Sequence, residues 1–146
     1  MAYLFDTDAI SESMRRAPLR DYTDWLATIP REDQFTSSVV MGELYKGAHR
    51  SNRRAILLQR IEEEILPRLT VLPYELEDAQ VYGEIRAALE ASGKLPDEMD
   101  LLIGATALRH GLRLVTGNIE HFKRIPGLSV ESVLAEARKR DARDPS

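Results

Sequence analysis

Residues Gly93–Phe122 read GKLPDEMDLLIGATALRHGLRLVTGNIEHF, and the fold is decided here. Leu101, Ala105, Leu108 and Leu112 recur at helical spacing, and Leu102 and Ile103 widen the apolar stripe, so the middle is a buried helix. Pro96 and Asp97 open that helix, and Gly111 closes it where the chain must turn. Leu112-Arg113-Leu114-Val115-Thr116 then predicts a short strand, and Gly117-Asn118 a turn. Helix, tight turn and strand make the second half of a strand–helix–strand unit. Asp100 is out of place at the mouth of so apolar a helix. Taken alone it is best explained as a cap. With Asp97 as N-cap, a carboxylate three residues on favours the helix dipole and completes a capping box.

Outward from this stretch, strands alternate with helical segments. Ala2–Phe5 is a short apolar strand followed by Asp6-Thr7-Asp8, with Thr7 or Asp8 as the cap of a helix over Ala9–Arg16. A second helix over Leu19–Ile29 stops at Pro30, and Phe35–Ser37 is the second strand. Ser38 caps a helix from Val39 to His49, and a longer helix covers Arg53–Leu66. A third strand spans Leu69–Leu72, an amphipathic helix Glu75–Ala91, a short strand Leu128–Val130 and a terminal helix Glu131–Arg140. The prediction is one α/β domain over residues 1–146, with residues 141–146 a frayed tail. Its core is a mainly parallel sheet of four to five short strands with helices on both faces.

Composition narrows the function classes. At 146 residues with 43% hydrophobic and 30% charged side chains, the chain is an ordinary globular domain rather than a disordered one. It has no cysteine, which excludes disulfide frameworks and thiolate metal sites. No apolar run approaches ~20 residues and no basic leader precedes the first strand, so a cytoplasmic protein without a membrane partner is expected. The net charge of −4 argues against nucleic-acid binding by the whole surface. Locally, Leu44–Ile61 contains no acid but holds Lys46, Arg50, Arg53, Arg54 and Arg60. A second basic run has Arg109, Arg113, Lys123 and Arg124. Charge runs are usually solvated faces, and phosphate binding gains weight only beside a site.

In parallel sheets, ligands bind beyond the carboxyl ends of the strands. Asp6 lies at that end of the first strand and Asn118 just past that end of the fourth. Glu43 lies on the helix after the second strand, among Val39, Val40, Leu44 and Tyr45, a more apolar setting than a surface pair with Lys46 requires. Each acid has a bland role available, as strand end, surface pair or cap. Together they require three acids placed independently at one end of one sheet. Two carboxylates ~4 Å apart repel by about 4 kcal/mol at an effective dielectric near 20, so a converging cluster binds a cation, holds a proton or faces a basic partner. His49, His110 and His121 show no paired ligand spacing, which disfavours zinc, whereas all-oxygen ligands suit Mg²⁺ or Mn²⁺.

The segments LFDTDAI, SSVVMGELYKGAHRS and MDLLIGATALRHGLRLVTGNIEHFKRIPGLSV, in this order and spacing, resemble the PIN-domain ribonucleases and within them the VapC toxins of toxin–antitoxin pairs. The resemblance runs from Tyr3 to Val133. It implies a PIN-like fold and an endoribonuclease in which Asp6, Glu43 and Asp100 hold one or two Mg²⁺ or Mn²⁺ ions. Asp8 falls on a supporting polar position, and Thr116 and Asn118 match the loop after the fourth strand. Many relatives carry an acid just before the phenylalanine, where this chain has His121 before Phe122; the fourth ligand is then Asn118, Glu120 or none. The resemblance also implies a structured RNA substrate such as tRNA or ribosomal RNA, a homodimer, and a VapB-type antitoxin. The RNA track falls on Lys46, Arg50, Arg53 and Arg54. Two rivals remain at this level. Asp6-Thr7-Asp8 also resembles haloacid-dehalogenase-like phosphatases, with Asp6 as nucleophile, although Ala9 and the Asp97/Asp100 pair match those poorly. The other rival is a non-catalytic PIN-like interaction module whose acids are only caps.

Overall fold

A computed structural model of the chain describes residues 1–143. Five parallel strands lie in the order β3-β2-β1-β4-β5. They are β1 (Tyr3–Phe5), β2 (Gln34–Ser37), β3 (Thr70–Leu72), β4 (Arg113–Val115) and β5 (Val130–Glu131). The helices are α1 (Thr7–Ser13), α2 (Arg20–Leu26), α3 (Ser38–Arg50), α4 (Arg54–Arg60), α5 (Leu76–Ser92), α6 (Glu98–His110), α7 (Ile119–Phe122) and α8 (Val133–Arg143). This is the α/β architecture that the alternation of apolar runs predicts.

The central strand is the most apolar one, for a physical reason. β1 has neighbours on both edges and helices on both faces, so all three of its side chains are buried. Tyr3 and Phe5 pack on Trp25 of α2, with the Tyr3 and Trp25 rings edge to face at 5.2 Å. On α6, Leu101, Ile103, Ala105 and Ala107 are all buried, and the helix ends at Gly111, whose φ of +65° suits a residue without Cβ.

Several boundaries differ from expectation. The helix over Arg53–Leu66 is divided: α4 stops at Arg60, and a wide π turn over Ile61–Ile65 and a 3-10 turn over Leu66–Arg68 follow. Pro67 cannot continue the ladder, and the π turn keeps both Ile61 and Ile65 buried. β5 lies later than Leu128–Val130: the chain turns at Gly127, at φ +81°, and pairing with β4 begins at Val130 opposite Leu114. The terminal helix accordingly begins at Val133 and runs through Arg143, and residues 144–146 of the expected tail lie outside the described residues. α7 is an added turn of helix where a loop was expected. Among the described residues, no helix is long and apolar enough to cross a membrane.

The parallel sheet sends β1, β2 and β4 toward one edge, and α1, α3 and the Thr116–Asn118 loop leave from there. That edge carries the candidate site.

Candidate active site

Asp6 sits between the end of β1 and the start of α1, packed so closely that the residue is only 4% exposed. It is the true N-cap of α1, its Oδ1 accepting the Ala9 N–H at 2.8 Å, in place of the expected Thr7 or Asp8. Burial pushes its pKa up to about 7. Bonds from the Thr116 side chain and the Ala9 amide pull it down, and the nearby charges of Asp8 and Asp100 push it up.

Glu43 sits on α3, which Ser37 rather than Ser38 caps by accepting the Val40 N–H at 3.2 Å. The Thr7 hydroxyl donates to Glu43 Oε1 at 2.5 Å, tying the start of α1 to α3. Asp100 is in the first turn of α6, but the capping box is absent. Asp97 takes the N-cap position without a side-chain bond, and Asp100 Oδ2 instead faces His121 Nδ1 at 3.2 Å. Partial burial raises the Asp100 pKa, His121 lowers it through its hydrogen bond, and the charges of Asp97 and Glu43 raise it. The Asn118 amide lies 2.8 Å from the same His121 nitrogen.

Asp6, Asp8, Glu43, Asp100 and Asn118 line one cavity of about 400 Å³, and Arg138 adds a cation to its wall. Asp8 is not a helix cap. It accepts two bonds from the Arg138 guanidinium, at 2.7 and 2.9 Å, and the Gly117 N–H at 3.1 Å. Thr116 is fully buried, and its Oγ1 accepts the Asn118 N–H at 2.9 Å. Glu120 faces away: it is exposed, pairs with Lys123 at 2.8 Å, and does not line the cavity. Lys46 and Arg50 on α3, Arg53 just before α4 and Arg54 at its start are exposed outside the cavity, with Lys46 one turn beyond Glu43. Arg138 is the residue that sequence reasoning missed. Its helix reads as an ordinary amphipathic terminus, and no local signal marks one of its basic residues as facing a site 130 residues away.

The donor chemistry suits a hard divalent ion, because carboxylate and amide oxygens share the cavity and the chain has no cysteine. The carboxylates nevertheless do not point at a common centre. Asp6 turns to Ala9, Glu43 to Thr7, Asp100 to His121 and Asp8 to Arg138. Among the described residues, no three His, Asp or Glu side chains stand ready to enclose an ion. Like charges in one cavity each take the nearest donor, and a cation is what would compensate them together. Asp6 is the strongest sign of that need, since its surroundings hold the carboxylate at a pKa of about 7.

The sequence profile of the family described as PIN domain matches residues 3–128. A curated relative from Haemophilus influenzae, ribonuclease VapC2, is 33% identical over 90% of this chain and 98% of its own. The tRNA(fMet)-specific endonuclease VapC of Salmonella typhimurium is 37% identical over 65% of this chain and 71% of its own. Among solved structures, VapBC2 of Rickettsia felis bound to a promoter DNA fragment superposes with a TM-score of 0.83 at 30% identity, covering 90% of this chain and 98% of that one.

Proposed function

The chain belongs to the PIN-domain family, in its VapC-type branch, and on that premise we propose that it is a divalent-metal-dependent endoribonuclease, the toxin of a toxin–antitoxin pair. The observation that carries the reading is the shared cavity: acids from the β1 exit, α3 and α6 line a single space, with Asp6 buried among them. Three caps placed independently would not share it, which weighs against the non-catalytic module. The phosphatase reading loses its ground as well, because the family match runs along the chain rather than through Asp6-Thr7-Asp8 alone.

In this reading Asp6, Glu43 and Asp100 hold one or two Mg²⁺ or Mn²⁺ ions, with Asn118 at the fourth position. Such an ion lowers the pKa of a coordinated water and offsets negative charge growing on the phosphate. The chain's own residues position and screen. Asp6 supplies a carboxylate locked by its capping bond, so that its orientation does not depend on substrate. Asn118 offers an uncharged amide where a further carboxylate would add repulsion to the approaching phosphodiester. Lys46, Arg50, Arg53 and Arg54 offer RNA a positive approach beside an acidic pocket. Structured RNA such as tRNA or ribosomal RNA, a VapB-type antitoxin, a homodimer and a cytoplasmic setting complete the proposal.

The test is cleavage of a tRNA pool by purified protein with EDTA, with Mg²⁺ and with Mn²⁺. Cleavage is expected only with added ion, and Asp100→Asn should abolish it. Full cleavage by chelated protein would overturn the reading.

A further inference from the structure

The Thr116–Asn118 loop lies beside Asp6 and, through His121, the half-buried Asp100. Thr116 follows Val115, whose carbonyl accepts the Asp6 N–H at 3.1 Å, and Asn118 reaches the His121 that faces Asp100. Its own anchor is on the other side. The Gly117 N–H is held by Asp8 Oδ2, and the same oxygen receives Arg138 at 2.7 Å. The approach is so close that a Cβ on Gly117 would lie 2.1 Å from an Arg138 nitrogen and 2.5 Å from Asp8 Oδ2. Arg138 also reaches Glu12, whose side chain is fully buried, at 3.2 Å. A planar guanidinium holding both Asp8 oxygens fixes that carboxylate in rotation as well as in place.

We propose that Arg138 is a positioning residue. Through Asp8 and the Gly117 amide it holds the Thr116–Asn118 loop in register with Asp6 and Asp100, and so sets the site's affinity for its ion. The ion itself rests on the reading above, but the latch stands on geometry alone.

The sign of the effect separates positioning from charge. Arg138 is a cation on the wall of an acidic cavity, so by Coulomb repulsion alone its removal should tighten divalent-ion binding. If it positions the loop, removal loosens binding instead, and loss of such an outer partner typically costs roughly 10–100-fold in affinity.

The experiment compares parent, Arg138→Ala, Arg138→Lys and Asp8→Asn by Mn²⁺ titration calorimetry, and by NMR hydrogen exchange of the Gly117 amide in metal-free protein. Arg138→Ala should bind Mn²⁺ about tenfold more weakly and exchange Gly117 faster. Arg138→Lys, which keeps the charge and loses the two-pronged grip, should fall between, and it carries the test if the alanine variant does not fold. Combining Arg138→Ala with Asp8→Asn should add little to either single loss, as expected for partners in one network. Unchanged or tighter Mn²⁺ binding by a folded Arg138→Ala would overturn the proposal. So would a rise confined to the KM for RNA, which would make Arg138 a phosphate contact. A parent that binds no Mn²⁺ would break the metal reading instead, and Gly117 exchange would still decide whether Arg138 holds the loop.

Discussion

Two places in this protein gather acids around an arginine, and they differ in where the acids come from. At the start of α5, Glu75, Glu77 and Asp78 surround Arg109 of α6, at 3.2, 3.8 and 3.1 Å. All three belong to one turn of chain, and Glu75 and Asp78 complete a capping box there. At the sheet edge, the acids come from the β1 exit, α1, α3 and α6, with Arg138 arriving from α8. The first cluster is a local device that starts a helix and pins it to its neighbour. In the second, distant segments bring acids to a common cavity, and only Asp6 among them also caps a helix. A count of carboxylates does not tell the two apart, but their separation along the chain does.

The sharpest way to break this contrast is to remove one acid from each place. Asp100→Asn should reduce RNA cleavage by at least roughly a hundredfold while the fold persists. Asp78→Ala should leave cleavage per folded molecule unchanged and cost about 3 kcal/mol in a denaturant melt, because it takes a fully buried carboxylate from Arg109 and from the α5 cap. Comparable activity losses from both would erase the distinction.

A second test uses pH and metal-free protein. Asp6 has a pKa of about 7 in the fold against 3.8 for an ordinary Asp, so the native state keeps a proton that the unfolded chain releases between those values. Stability from this group is therefore complete below about pH 4 and is lost as pH rises toward about 7, a change of a few kcal/mol at most. Asp6→Asn keeps an oxygen for the Ala9 N–H and cannot ionise. Its melting temperature should exceed the parent's at pH 8, and the gain should vanish near pH 4. Parallel curves for the two proteins would show that Asp6 ionises without penalty.

The smallest effect concerns the basic track. Replacing Arg53 and Arg54 with Ala should leave stability unaltered, since both are exposed. RNA binding should weaken, and its salt dependence flatten by roughly one unit of slope per lost phosphate contact. An unchanged slope would move the RNA elsewhere on the surface.

The sheet, its parallel sense and the order of elements were legible because each rests on short-range patterns: apolar runs for strands, a stripe for α6, and Gly111 as its stop. The acids Asp6, Glu43 and Asp100 were legible as candidates because a charge inside apolar sequence is conspicuous. What local sequence could not separate was a cap from a site. Asp100 and Asp8 both sit where a cap belongs, yet neither caps: one faces His121 and the other Arg138. Asp6, read as a strand-end acid, caps α1 as well as lining the cavity. Arg138 stayed hidden because its partner is set by how α8 returns to the sheet edge, a tertiary fact with no short-range trace. The π turn after Arg60 was missed for the same reason, since it answers to the burial of Ile61 and Ile65 rather than to helix propensity.

The bond between Arg138 and Asp8 also bears on timing, for its two residues stand 130 positions apart. A ribosome adding ~5–20 residues per second makes the second of them roughly 6–26 s after the first. Asp6, Glu43, Asp100 and β4 are made before it, but until then the Thr116–Asn118 loop lacks the Arg138 end of its anchor. The cavity wall is completed only when α8 has returned to the sheet edge and brought Arg138 with it.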